Sequence, residues 1–224
     1  MEQSGASRAY FEYARPEVVA LVPTEAARIL DIGCAAGALG AGLKKRNSCE
    51  VWGIEVHPGA AAAARERLDH VIEGDALLLG AELADESFGA VIMADVLEHV
   101  ENTEGMLALA RRIMTPDGKL ILSLPNIRHW SILKMLLEGD WRYLDSGIMD
   151  RTHLRFFTLN SAVRALGKAG FKVDHAAGVN VTSPPPEGFI EGLEALMSEH
   201  SMVPGKLTAE SLLYQLLFVC SKTD

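Results

Sequence analysis

Residues 29–40 read Ile29-Leu30-Asp31-Ile32-Gly33-Cys34-Ala35-Ala36-Gly37-Ala38-Leu39-Gly40. A short apolar run carrying an acid passes into a turn of small residues, and the turn opens a helical stretch. This is the pattern of a buried parallel strand feeding a helix. Small side chains let a ligand approach the backbone at such a turn, and the first amides of a helix are unpaired donors. Against the dinucleotide pattern G-x-G-x-x-G the segment offers Gly33, Ala35 and Ala38, a poor match.

The same alternation continues in both directions. Arg28–Ile32, Val51–Glu55, Val71–Glu73, Ala90–Ala94 and Leu120–Leu124 read as buried strands, and Leu212–Cys220 as a closing one. Between them lie helical patterns. One runs over Ala60–Leu68 behind a first-turn Pro58. One is marked by Met106, Leu109, Ala110 and Ile113 and ended by Pro116-Asp117-Gly118. One is marked by Leu159, Val163 and Leu166 and stops near Gly170. Strand–helix alternation of this kind predicts an α/β fold, a doubly wound parallel sheet with helices on both faces. Two stretches break the rhythm, 127–157 and 179–211, the second containing Pro184-Pro185-Pro186 and a helix over Phe189–Met197. Long excursions in compact domains serve as lids or binding loops. No linker or repeat divides the chain, so one domain over residues 1–224 is expected.

Composition narrows the function classes. Of the 224 residues, 49% are hydrophobic, enough for a substantial core. Thirty acidic against 21 basic residues give a formal charge of −9, which argues against a nucleic-acid groove. Cys34, Cys49 and Cys220 have neither C-x-x-C spacing nor an even number, so no disulfide framework or cysteine-rich zinc site is expected. Met1 to Tyr10 lacks the features of a signal peptide, and no apolar run reaches membrane-span length; the expected location is the cytoplasm.

Two further acids sit where strands end. Glu55 closes the second strand, roughly twenty residues after the first turn, where a carboxylate can accept from both hydroxyls of a ribose. Gly74-Asp75-Ala76 follows the third, a place for a carboxylate to meet an adenine amine. Each is unremarkable alone; the ordered set Asp31, Gly33, Gly37, Glu55 and Asp75 is far more specific. With this set, and with Ala94-Asp95-Val96-Leu97-Glu98-His99-Val100 after the fourth strand, the chain resembles the class I S-adenosylmethionine-dependent methyltransferases from about Tyr10 onward. Their first motif reads D-x-G-C-G-x-G. The resemblance implies a Rossmann-like seven-stranded sheet, mostly parallel with its last strand antiparallel, and S-adenosyl-L-methionine as cofactor. Asp31, Gly33, Cys34, Ala35 and Gly37 would hold the methionine part, Glu55 the ribose, Asp75 and Ala76 the adenine, with Asp95 near the transferable methyl. Ala35 departs from the motif, standing where the middle glycine is usual. In similar bacterial proteins the segment Tyr10-Phe11-Glu12-Tyr13-Ala14-Arg15-Pro16 packs over the cofactor, which makes Tyr13 and Arg15 further contacts; a helix cap and surface charge explain them equally well.

Methyl transfer to a hydroxyl needs positioning and a route for the proton. Asp95, Glu98 and His99 stand at i, i+3 and i+4 and share a face if that turn is helical. Asp150-Arg151-Thr152-His153-Leu154-Arg155-Phe156-Phe157-Thr158 brings another histidine. This combination resembles ubiquinone-biosynthesis O-methyltransferases. It is also similar to small-RNA 2′-O-methyltransferases, whose E-x-x-E-H element and downstream histidine bind a divalent ion. His99 and His153 are the candidate catalytic residues. A divalent metal on Asp95, Glu98, His99 and His153 is the second and less favoured reading, since strand-end Glu-His pairs are common in this superfamily without an ion. Pro125-Asn126-Ile127-Arg128-His129-Trp130 resembles polysaccharide-associated methyltransferases and a methionine-biosynthesis protein of this fold. His129 and Trp130 then line an acceptor pocket, or Trp130, Ile132, Leu133 and Leu136 form the buried face of a helix. The expected function is methyl transfer to a small metabolite or sugar, at oxygen. The alternatives are transfer to nitrogen or carbon, and a weakly catalytic or non-catalytic partner protein of the same fold in a biosynthetic pathway.

Overall fold

The computed structural model describes residues 14–179, 183–202 and 206–223. A seven-stranded sheet runs through it: β1 (Arg28–Ile32), β2 (Glu50–Glu55), β3 (His70–Glu73), β4 (Phe88–Ala94), β5 (Met114–Pro125), β6 (Phe171–Val179) and β7 (Gln215–Lys222), in the order β3-β2-β1-β4-β5-β7-β6. β1 pairs parallel with β2 and β4, β2 with β3, and β4 with β5, while β7 is antiparallel to both β5 and β6. The strand order reverses between β1 and β4, and ligands of such sheets bind outside the strand C-termini at that point.

Successive residues of a strand face opposite sides, and the core divides accordingly. Leu30, Val91, Met93, Leu120 and Leu122 pack on one face against α5 (Thr103–Ile113) and α7 (Leu159–Lys168). Ile29, Val51, Ala90, Ile92 and Ile121 pack on the other against α1 (Pro16–Val19), α2 (Ala38–Arg46) and α3 (Pro58–Ala64). In α5 all four spaced apolar residues are buried, whereas in α7 the buried residues are Ala162 and Leu166 and Val163 is exposed.

Three local expectations are corrected. Pro116-Asp117-Gly118 does not end the preceding helix, which stops at Ile113. Those residues form a bulge inside β5, where the register jumps from Met114 opposite Phe88 to Lys119 opposite Ala90. The closing strand starts at Gln215 rather than Leu212, because residues 212–214 form the turn that leads out of α9 (Leu207–Ser211). β6 has no counterpart in the hydrophobic pattern: it is an edge strand, exposed or half-buried beyond Phe171, and lacks a buried run.

The excursion after β5 closes on itself. Asn126 bridges to Phe157, and the Ile127 amide donates to the Phe157 carbonyl at 2.9 Å. Between these ends lie α6 (Trp130–Leu137) and a satellite core of Ile132, Ile148 and Met149, with Ile127, Met135, Phe156 and Tyr214 packed against it. The second excursion carries α8 (Phe189–Glu199) and α9, and is tied to the first through Asn126, whose amide nitrogen donates to the carbonyls of Glu210 and Leu213, both at 2.8 Å. Arg128 pairs with Glu210 alongside.

Candidate functional site

The turn after β1 is built on three left-handed residues, Gly33 (φ 75°), Ala35 (φ 49°) and Gly37 (φ 78°). Its amides are largely committed inside the protein. Gly33 and Cys34 both donate to the Ile54 carbonyl, at 2.8 and 3.2 Å, and Ala35 donates to Glu55 Oε2 at 2.8 Å. The other Glu55 oxygen accepts from the His57 amide at 2.8 Å. Glu55, read as a ribose acceptor, is thus first the brace between the β1 and β2 turns. The Cys34 side chain lies in the core, so that a Cβ on Gly53 would meet its sulfur at 2.5 Å. Asp75 is exposed and caps α4 (Ala76–Leu79) by accepting from the Leu77 amide at 2.7 Å; Ala76 is buried. Tyr13 lies outside the described residues.

Ala35 shows why a glycine is usual at its position. An L-residue in the left-handed region costs about 1–2 kcal/mol, offset in part by the freedom that glycine adds to the unfolded chain, about 0.4–1 kcal/mol. Ala35→Gly is therefore expected to stabilise the protein by up to about 1 kcal/mol, raising Tm by about 2–4 °C. Calorimetry showing a lower Tm would contradict the strain.

Asp31 is almost fully buried, and burial together with the neighbouring Glu55 pushes its carboxyl up to about 7, against the pull of Arg15. Arg15 reaches across the strand ends. It pairs with Asp95, donates to Ser123 Oγ at 2.7 Å and to Glu17 at 2.6 Å. Ser123 in turn donates to Asp95 Oδ1 at 3.2 Å. Asp95 sits at φ 58° directly after β4 and is held toward Arg15 and Ser123.

Beyond Asp95 the chain makes a 3₁₀ turn, Leu97–His99. Val96 leans on the β1 turn: a Cβ added to Gly33 would meet Val96 Cγ2 at 2.7 Å. The excursion docks on this turn through its backbone, with the amides of Leu154 and Arg155 donating to the Glu98 carbonyl at 2.7 and 3.1 Å. That docking brings His153 against His99, ring centroids 4.7 Å apart and edge-to-face. Glu98, His99 and His153 offer ligand atoms all within 4.8 Å of one another. Asp95 is not in that group, which separates it from the four-residue set expected from the sequence. Both Glu98 carboxyl oxygens are buried and have no hydrogen-bond partner among the described residues. Burial, reinforced by Asp95, raises the Glu98 carboxyl well above its ordinary range. Burial and the adjacent His153 lower the His99 pKa below its ordinary value.

A line of aromatic rings leads outward from the cluster. His153 stands 6.4 Å from Phe156, and Phe156 stands 5.5 Å from the half-exposed Trp141. His129, in contrast, is fully buried and caps α6, its Nδ1 2.8 Å from Ser131 Oγ; burial lowers its pKa to about 4. In α6 only Ile132 is buried and Leu136 is exposed, so the expected buried face is narrower than its apolar content. Sequence reasoning missed Asp150, Thr152 and Ser123 as partners of the site. The Asp-x-Thr spacing of 150–152 was an available signal, being that of a local side-chain turn.

Among the described residues no helix is long and apolar enough to cross a membrane. The profile of the family described as "Methyltransferase domain" matches residues 7–176. The malonyl-[acyl-carrier protein] O-methyltransferase of Geobacter sulfurreducens is 32% identical over 152 residues, 66% of this chain and 57% of that protein. The ubiquinone biosynthesis O-methyltransferase of Azorhizobium caulinodans is 30% identical over 167 residues, 71% of this chain and 64% of that protein. The chain thus spans about three fifths of these two relatives' length. A SAM-dependent methyltransferase from Archaeoglobus fulgidus superposes with a TM-score of 0.66 at 18% identity, covering 96% of this chain and 95% of that one. With three quarters of its length matched by one family profile, the chain belongs to the methyltransferase-domain family.

Proposed function

We propose that the chain is an S-adenosyl-L-methionine-dependent methyltransferase acting on an oxygen of a small metabolite or sugar. The observation that carries this reading is the convergence of Glu98, His99 and His153 after β4, beside the turn that follows β1. The O-methyltransferase relatives support oxygen as the target. The cofactor, when bound, supplies an electrophilic methyl group on a sulfonium. Asp31, Glu55 and Asp75 mark its expected course along the strand ends. The acceptor lies against Phe156 and Trp141 with its hydroxyl at the cluster, where an imidazole of His99 or His153 takes the hydroxyl proton; a bound cofactor would give up its methyl to that oxygen and leave as the neutral thioether. Water is kept from Glu98 by burial.

A second reading is favoured by the two unpartnered oxygens of Glu98. One carboxylate and two imidazoles fit a divalent ion of the kind that accepts mixed N/O donors. Glu98, His99 and His153 would hold it, and it would lower the pKa of an acceptor hydroxyl.

The test is incubation with methyl-labelled cofactor and a panel of phenolic, carboxylic and sugar acceptors. Label in an ether or ester is expected. Label on nitrogen or carbon overturns the oxygen assignment, and no turnover with intact cofactor binding favours the partner-protein reading. Turnover that survives exhaustive chelation removes the ion.

Cofactor affinity is expected to depend on pH. With the Asp31 carboxyl at about 7, the group is neutral below that value and anionic above it. A cationic cofactor stabilises the anion, so affinity should rise about ten-fold between roughly pH 6 and pH 8. Asp31→Asn should lose this dependence, which separates it from ionisation of the cofactor itself. An equal slope in both proteins would refute it.

A further inference from the structure

The turn of residues 147–153 carries His153 and contacts His99 through Thr152. Its backbone is fixed at each end, the Asp150 amide donating to the Gly147 carbonyl and the His153 amide to the Asp150 carbonyl, both at 3.0 Å. Tyr214 steadies it from β7's leading edge, its hydroxyl accepting from the Ile148 amide at 3.3 Å. Within this frame Asp150 Oδ1 accepts twice from Thr152, from the amide at 2.8 Å and from the hydroxyl at 2.6 Å. Thr152 Oγ1 lies 3.1 Å from His99 Nδ1, and His153 Nδ1 lies 2.9 Å from the Ile148 carbonyl.

These contacts decide where the ring protons are. A carbonyl only accepts, so His153 carries its proton on Nδ1. A hydroxyl has one proton, and that of Thr152 goes to the Asp150 carboxylate; toward His99 it has only a lone pair to offer. His99 must then donate from Nδ1 as well. In the other tautomer, two lone pairs would face each other at 3.1 Å, or Thr152 would have to abandon Asp150.

We infer that Asp150 and Thr152 form a relay that fixes the His99 proton on Nδ1, so that His99 and His153 both enter the cluster with bare Nε2 atoms. Asp150 and Thr152 are positioning residues, acting through His99. The inference rests on the reading of Glu98, His99 and His153 as the acceptor site. A bare Nε2 is what that site requires in either form, since a base and a metal ligand both need the lone pair. His153 reaches this state through the Ile148 carbonyl, and His99 through Thr152, whose main chain also hydrogen-bonds it and whose hydroxyl substitution can remove.

The test is ring-nitrogen NMR of ¹⁵N-histidine-labelled protein without cofactor or acceptor, so that it stands apart from the methyl-transfer reading, which the labelled-cofactor assay decides. The wild-type protein should show His99 as the Nδ1–H tautomer. Thr152 is exposed, so Thr152→Val keeps the fold while removing the hydroxyl, and should shift His99 toward Nε2–H. Thr152→Ser should restore the wild-type signature, and Asp150→Asn should give a mixture. A wild-type His99 protonated on Nε2, or a Thr152→Val protein with an unchanged tautomer, would overturn the relay.

Discussion

Replacing His153 with alanine is expected to lower methyl transfer about 10²–10⁴-fold, the usual contribution of a positioned proton-transfer group. S-adenosylmethionine binding should be unaffected, because the turn after β1 and the acids Asp31, Glu55 and Asp75 lie on other elements. His153 is buried and donates to the Ile148 carbonyl, so part of any loss could come from a disturbed loop. His153→Gln separates the two effects: its amide can still donate to Ile148 but offers no imidazole. Both variants should be equally slow if the ring does chemistry. A His153→Gln enzyme at wild-type rate would assign the residue a structural task only. Glu98→Ala tests the same cluster from its other side, and it should bind cofactor normally too.

Gly33→Val should be the most damaging single change to the cofactor side. Gly33 has φ 75°, a conformation that a β-branched residue resists. Its new Cβ would also sit 2.7 Å from Val96 Cγ2, before the outer methyls are counted. Left-handed strain of about 1–2 kcal/mol adds to overpacking of about 1–3 kcal/mol. A loss near 3 kcal/mol lowers Tm by about 6–12 °C. Because Val96 leads into the turn carrying Glu98 and His99, the strain is also expected to reach the cluster. Thermal melts and cofactor calorimetry check this together; wild-type values in both would refute the packing argument.

The parts legible in the sequence share a physical cause. Strands β1, β2, β4 and β5 are largely buried on both faces, so each contains an apolar run with an acid or glycine beside at least one end. β6 is an edge strand with little to bury, and hydrophobicity does not mark it. Pro116-Asp117-Gly118 was read from its chemistry as a turn ending the helix, and it is a bulge in β5. That it lies within a strand depends on pairing with Phe88 and Ala90, which local residues do not encode. At the site, the pairing of His99 with His153 follows from placing both at the strand C-termini. The partition of the carboxylates did not: Asp95 and Glu98 are equivalent by spacing, and only Arg15, eighty residues away, takes one of them. Likewise Glu55 and Asp75 read as ligand acids, while their bonds to Ala35, His57 and Leu77 show each first holding its own turn.

The docking of the excursion onto the Glu98 carbonyl is made by two amides, those of Leu154 and Arg155. Amides belong to every residue except proline, so this joint survives changes of side chain on either partner. Together with the Asn126–Phe157 bridge that closes the base of the loop, it makes the stretch between them an exchangeable cassette. Side chains near Trp141 can be exchanged while the Leu144–Asp150 bridge and the Leu154 and Arg155 amides keep their backbone partners. If Phe156 and Trp141 form the acceptor wall, as proposed, the loop around Trp141 is the segment to exchange when a new acceptor is wanted.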